Sequence, residues 1–139
     1  MALKPLAVTM GDPAGIGIEI AAKAWLERQS LGLPAFCMVG SMSLIQTKLA
    51  SLFDNVPLVK VTSIQETYGV FPNSLPVLDP DTKGGEASQT IAAIDLATEL
   101  CLLGEAAAIV TTPIQKKRLY DAGFSHPGHT EYLAELTGA

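Results

Sequence analysis

Short, continuous apolar runs alternate along this chain with longer stretches whose apolar residues recur three and four positions apart. Leu6-Ala7-Val8-Thr9-Met10 is the first such run, closed by Gly11-Asp12-Pro13, as a buried strand entering a loop would be. From about Ile16 the spacing turns helical through Ile20, Ala21, Ala24 and Trp25, and it fades near Gln29. Ala35 to Val39 reads as a second buried strand, after which Ser41 caps a helix through Leu44, Ile45, Leu49 and Leu52. Leu58 to Val61 is a third strand. Ser63 and Glu66 fit a capping box that opens one helical turn, and a mostly extended segment holding Val77-Leu78 follows, punctuated by Pro72, Pro76 and Pro80. After Gly84-Gly85 comes the longest helical pattern, with Ala87, Ile91, Ile94, Ala97, Thr98 and Cys101 as its apolar stripe and Gly104 beyond its end. Ala107 to Thr111 reads as another buried strand, Lys116 to Ala122 as a short helix, Gly123 to Gly128 as a loop, and Thr130 to Leu136 as the opening of a last helix. Apolar strands separated by helices predict an α/β fold with a mainly parallel sheet covered on both faces.

Composition narrows the function. With 139 residues, 48% of them hydrophobic and 17% charged, the chain can fill one core and is not a disordered segment. Its formal charge is -5, and Lys116-Lys117-Arg118 is its one basic cluster. Nucleic-acid binding is therefore not expected, because phosphate neutralisation needs a larger cationic surface. No apolar run is long enough to cross a bilayer, and the first residues do not read as a secretory signal. Cys37 and Cys101 lie in apolar segments without a CxxC partner, so both are expected to be buried, reduced thiols, as suits a cytoplasmic protein. The pattern breaks off at Glu135-Leu136-Thr137-Gly138-Ala139, just as a helix begins, so the fold is expected to be incomplete and the chain part of something larger.

In open α/β sheets ligands gather outside the carboxyl ends of the strands. Three loops there attract attention. The first, Thr9 to Glu19, contains Gly11, Asp12, Gly15 and Gly17 ahead of a helix start whose free N–H groups favour anions. A dinucleotide fingerprint fails because its third glycine position is Ile20, and a Walker lysine is absent. Asp12 suits a ribose or other hydroxyl, or equally a tight turn in which it bonds its own loop. The second loop, Thr111 to Lys116, offers hydroxyls and the point charge of Lys116 to a phosphate or carboxylate, or merely a solvated lysine. In the third, Pro127-Gly128 sets His129 and Thr130 at the mouth of a helix, with Thr130 as its cap and His129 facing the space before it. A metal pair of His126 and His129 is conceivable but ranks below simple hydrogen bonding, because Pro127 and Gly128 interrupt the helix that would align them. His126, next to proline, reads as an exposed loop residue.

Two of these segments resemble a known family. Thr9-Met10-Gly11-Asp12-Pro13-Ala14-Gly15-Ile16-Gly17-Ile18-Glu19 is similar to the N-terminal signature of the 4-hydroxythreonine-4-phosphate dehydrogenases, NAD-dependent enzymes of pyridoxal phosphate biosynthesis. Thr111-Thr112-Pro113-Ile114-Gln115-Lys116, followed by Ala122-Gly123-Phe124 and by Pro127-Gly128-His129-Thr130-Glu131-Tyr132-Leu133-Ala134, looks like the second. The resemblance implies an isocitrate/isopropylmalate dehydrogenase-like α/β/α sandwich, in which residues 1–139 are the N-terminal part of a two-lobed homodimer. It implies oxidation of the C3 hydroxyl of 4-phosphohydroxy-L-threonine by NAD or NADP, then decarboxylation, with a divalent metal (Zn, Mg or Co) on the reacting oxygen. By position His129 and Thr130 match the substrate-contacting pair, Lys116 matches a lysine near the same cleft, and Gly11, Asp12 and Gly15 match the loop lining it.

The family's metal-binding histidines lie downstream of Ala139, so no metal ligand is expected within this chain. Ile18 stands where the family has proline, and Thr112 and Gln115 replace a small residue and Ser, Asn or His. Such changes suit a branch acting on a related phosphorylated sugar acid, a phosphothreonate or phosphoerythronate. A non-catalytic phosphate-ligand module and an inert fragment are also compatible with these residues.

Overall fold

The computed structural model describes residues 4–114 and 129–138. Five strands, β1 (Leu6–Thr9), β2 (Phe36–Val39), β3 (Leu58–Val61), β4 (Leu75–Leu78) and β5 (Ile109–Val110), form one sheet in the order β3-β4-β2-β1-β5. Every pairing is parallel, with β1 aligned Leu6↔Phe36 on β2 and Ala7↔Ile109 on β5. The helices are α1 (Gly17–Leu26), α2 (Met42–Ala50), α3 (Thr67–Val70), α4 (Glu86–Leu102) and α5 (His129–Thr137). The connections through α1 and α2 step toward the β3 edge, whereas α4 carries the chain back past β2 and β1 to β5. Right-handed crossovers then put α1 and α2 on one face and α4 on the other; accordingly α1 packs on α2, and α4 on β1 and β2. The α/β class, the parallel sheet and its two covered faces are as the sequence predicts.

The central strands β2 and β4 are buried along their whole length, as strands covered on both faces must be. β4 is longer than the Val77-Leu78 pair suggests and contains Pro76, which has no N–H for a ladder. Leu75 N donates to Pro57 O on the β3 side, so by alternation the missing donor of Pro76 faces β2, just before β2–β4 pairing begins at Met38↔Val77. Ser41 caps α2 through Leu44 N, and the Ser63/Glu66 capping box is present ahead of a 3-10 turn at Ile64–Glu66.

Four expectations need correction. The buried face of α1 is Ile18, Ala21, Ala22 and Trp25, while Ile16 and Ile20 are 55% and 48% exposed. The buried stripe of α4 is Gln89, Thr90, Ala93, Ile94, Ala97, Thr98 and Leu100, which keeps the expected Ile94, Ala97 and Thr98 and leaves Ala87, Ile91 and Cys101 half-buried. β5 is not a buried five-residue strand: it spans Ile109–Val110, with Ala107 N and Ala108 O bonded to the β1 side ahead of it, and as the sheet's edge Val110 stays 41% exposed. Cys37 is buried as expected, whereas Cys101 is only half-buried. No helix among the described residues is long and apolar enough to cross a membrane.

Candidate functional site

β1 sends its connection toward β2 on one side, while β5 lies on its other side, so the sheet's topological switch point falls between β1 and β5. Outside the carboxyl ends of this pair such sheets form their ligand crevice. The β1–α1 loop enters it through a turn. Gly15 N donates to Asp12 O at 2.9 Å with Pro13 at the second turn position, and Ala14 N donates to Asp12 Oδ1, also at 2.9 Å. Asp12 is 7% exposed. Of the two roles open to it from sequence, the geometry displays the local one: its carboxylate organises its own loop. Gly11 takes a φ of 67°, a left-handed conformation that glycine adopts without a Cβ penalty.

The loop after β5 is bound to this turn at several points. Asp12 N donates to Pro113 O at 3.0 Å. Thr112 Oγ1 donates to Thr9 O at 2.7 Å, and Thr112 N donates to Thr9 Oγ1 at 3.3 Å. The Thr112 side chain is buried against Gly11 and Gly17; a Cβ at Gly17 would stand 2.6 Å from the Cβ of Thr112. From the other face of the sheet, Thr90 Oγ1 in α4 lies 3.1 Å from Gly11 O and 2.9 Å from Glu86 O, either of which can accept its proton. The hydroxyl of Thr112, one of those the sequence offers to an anion, is thus engaged with backbone instead.

Between the two loops lies a cleft of about 330 Å³ lined by Asp12, Ala14, Gly15, Ile16, Pro113 and Ile114. α1 opens directly beside it. Ile16 occupies the cap position and has no side-chain acceptor, so the first N–H groups of α1 keep their capacity for an anionic ligand. Ile18 is fully buried and packs in the core.

Two of the three loops are therefore joined. Lys116, His126, the short helix expected at residues 116–122 and the loop at 123–128 lie outside the described residues. His129 is the first residue of α5, one earlier than expected, which puts Thr130 inside the first helical turn rather than at the cap. α5 packs on α4, where the Tyr132 hydroxyl donates to Asp95 Oδ1; burial, and then that carboxylate, push the phenol well above its ordinary range. Among the described residues no group of three or more His, Cys, Asp and Glu could hold a metal ion. Sequence reasoning missed Thr90 as a loop anchor. Its one sequence signal, a hydroxyl on the apolar side of a helix, is not specific.

Comparison with known proteins bears on what such a cleft serves. The sequence profile of the family described as pyridoxal phosphate biosynthetic protein PdxA matches residues 33–139. A 4-hydroxythreonine-4-phosphate dehydrogenase of Caulobacter vibrioides is 45% identical over all of this chain and 43% of its own length. One of Zymomonas mobilis is 39% identical, covering 98% of this chain and 42% of the relative. The chain thus spans less than half the length of these curated relatives. Among solved structures, a putative 4-hydroxythreonine-4-phosphate dehydrogenase from Salmonella typhimurium superposes with a TM-score of 0.83 at 34% identity, over 98% of this chain and 46% of that one. Another, from Burkholderia phymatum, gives 0.85 at 25% identity, over 100% and 45%. The sheet is that of the isocitrate/isopropylmalate dehydrogenase-like fold.

Proposed function

Because this chain belongs to the pyridoxal phosphate biosynthetic protein PdxA family, we propose that residues 1–139 are the N-terminal part of a two-lobed, homodimeric, cytoplasmic dehydrogenase. Its reaction is the oxidation of 4-phosphohydroxy-L-threonine at C3 to 2-amino-3-oxo-4-phosphooxybutanoate, a β-keto acid that then loses carbon dioxide. The observation that carries this reading is the joined pair of loops at the β1/β5 switch point, with Asp12 N on Pro113 O and an uncapped α1 beside the cleft. A glycine-lined turn with free helix N–H groups fits a phosphate-bearing cofactor or substrate at its edge. NAD or NADP, when bound, accepts the hydride. The described residues do not supply a donor set for a divalent metal, whose ligands we place downstream of residue 139.

The chain's own residues bind and orient. His129 donates a hydrogen bond to the phosphorylated substrate, and Thr130, in the first turn of α5, contacts it. Lys116 adds a positive charge, which suits a doubly anionic substrate. Gly11 and Gly15 let backbone approach the ligand closely, and Asp12 holds that backbone in its turn.

The test is NADH formation with 4-phosphohydroxy-L-threonine and divalent metal. The 139-residue chain alone should be inert, and the chain joined to the downstream lobe of the Caulobacter vibrioides relative should turn over. In that two-lobed protein His129→Ala should lower kcat/KM by about tenfold or more, the scale of one lost charge-assisted contact. Turnover by the short chain would reject its incompleteness, and unchanged kinetics in His129→Ala would remove that residue from the site.

A further inference from the structure

We propose that Thr112 is the positioning residue of this site: it fixes the β5 loop in register on the β1–α1 loop. The inference rests on the site proposed above. The β5 ladder on β1 ends at Val110, with Ala107 N on Pro5 O and Ala7 N on Ala108 O at its start, so the loop beyond Val110 has no strand pairing of its own. There Thr9 and Thr112 continue the bonding by a reciprocal exchange, hydroxyl to carbonyl in one direction and amide to hydroxyl in the other.

Shape reinforces the bonding. Any Cβ at Gly11 or at Gly17 would collide with Thr112, so the two glycines form the seat into which this β-branched side chain fits. The next residue delivers Pro113 O to Asp12 N, and Pro113 and Ile114 form the cleft wall opposite Asp12, Ala14, Gly15 and Ile16. Thr112 is 8% exposed and does not line the cleft. It acts through its neighbours, by setting how far apart the two walls stand.

Two substitutions separate bonding from shape. Thr112→Ser keeps the donor and loses a methyl group; Thr112→Val keeps the branched shape and leaves Thr9 O without its donor. On the 139-residue chain, amide exchange at Asp12 is compared at matched global stability, with urea bringing the unsubstituted protein down to the variant's level. The Val variant should exchange about tenfold faster or more at Asp12, the scale of a lost buried hydrogen bond, and the Ser variant within about threefold of the unsubstituted chain. In the two-lobed protein, Thr112→Val should raise KM by a similar factor with kcat within about threefold, and Thr112→Ser should restore KM. Equal Asp12 exchange in the Val and unsubstituted proteins, or Ser exchanging as fast as Val, overturns the proposal. So does an unchanged KM in an active Val variant. Exchange needs neither substrate nor cofactor, so an inactive two-lobed protein with the expected exchange pattern refutes the dehydrogenase reading and leaves the clamp standing.

Discussion

The two apolar stripes of α1 can be told apart by truncating one residue from each. Ile18 is fully buried and Ile20 is 48% exposed, although they stand two positions apart in the same helix. Replacing Ile18 by Ala removes three buried carbon groups, worth about 0.8 kcal/mol each in transfer, or roughly 2.4 kcal/mol. The cavity left under the sheet brings the loss to roughly 3–4 kcal/mol. At Ile20 about half of that surface already faces water, so transfer falls to about 1 kcal/mol, and the better helix propensity of Ala returns a few tenths. Urea unfolding followed by far-UV circular dichroism measures both, with the slope checked for constancy. Ile18→Ala should lower the transition midpoint strongly and Ile20→Ala slightly. If Ile20→Ala cost as much as Ile18→Ala, the observed rotation of α1 would be wrong, and with it the seat of Gly17 against Thr112.

Gly17→Ala sets helix propensity against packing: a gain of about 0.5–1 kcal/mol opposes roughly 1–3 kcal/mol of overlap with Thr112. Net destabilisation, relieved in a Thr112→Ala background, is expected in the same unfolding assay, and a stabilised Gly17→Ala would contradict the close approach. Burial pushes the Cys37 thiol from 9.0 up to about 12, so the native chain should titrate only Cys101 with a thiol reagent, and Cys37 should react once unfolded. Because the fold favours the neutral thiol, its contribution to stability is complete below about pH 9 and is lost as pH rises toward 12. A Cys37→Ala variant should lack that alkaline loss. Glu66 is held below its ordinary value by the amides of Thr62 and then Ser63, at 2.5 and 3.1 Å. Its stabilising effect is therefore present above pH 4.5 and fades as pH falls through the lowered value. The melting-temperature gap between the unsubstituted protein and Glu66→Gln should close on acidification, and a pH-independent gap would refute the capping account.

How much of this molecule can be read from its sequence depends on how local the deciding interaction is. The strands are legible because a buried parallel strand is a continuous apolar run, and Phe36–Val39 is one. The caps at Ser41 and Ser63/Glu66 are legible because their partners lie within three residues. α1 is different: Ile16, Ile20 and Ala24 form one apolar face, and Ile18, Ala21, Ala22 and Trp25 another. Periodicity cannot choose between two acceptable stripes. The choice is made by tertiary contact, since Gly17 must face Thr112, and that turns Ile18 inward. The same reasoning applies to the cleft. Asp12 carries the same carboxylate whether it faces a ligand or bonds its own loop, and only the positions of Ala14 N and Pro113 O reveal that it organises the turn. The clamps on that loop join residues 79 and 103 positions apart, with Thr90 reaching Gly11 and Thr112 reaching Thr9. No window of sequence contains both ends of either. His129 and Lys116 stand out only through family resemblance, because a lone histidine before a helix and a lone lysine after a strand are each chemically ordinary. What brings the first two of the three segments together is that the sheet reverses its direction of growth at β1, so that loops remote in the chain emerge side by side. The threonines then carry the bonding past Val110, where the β5 ladder ends.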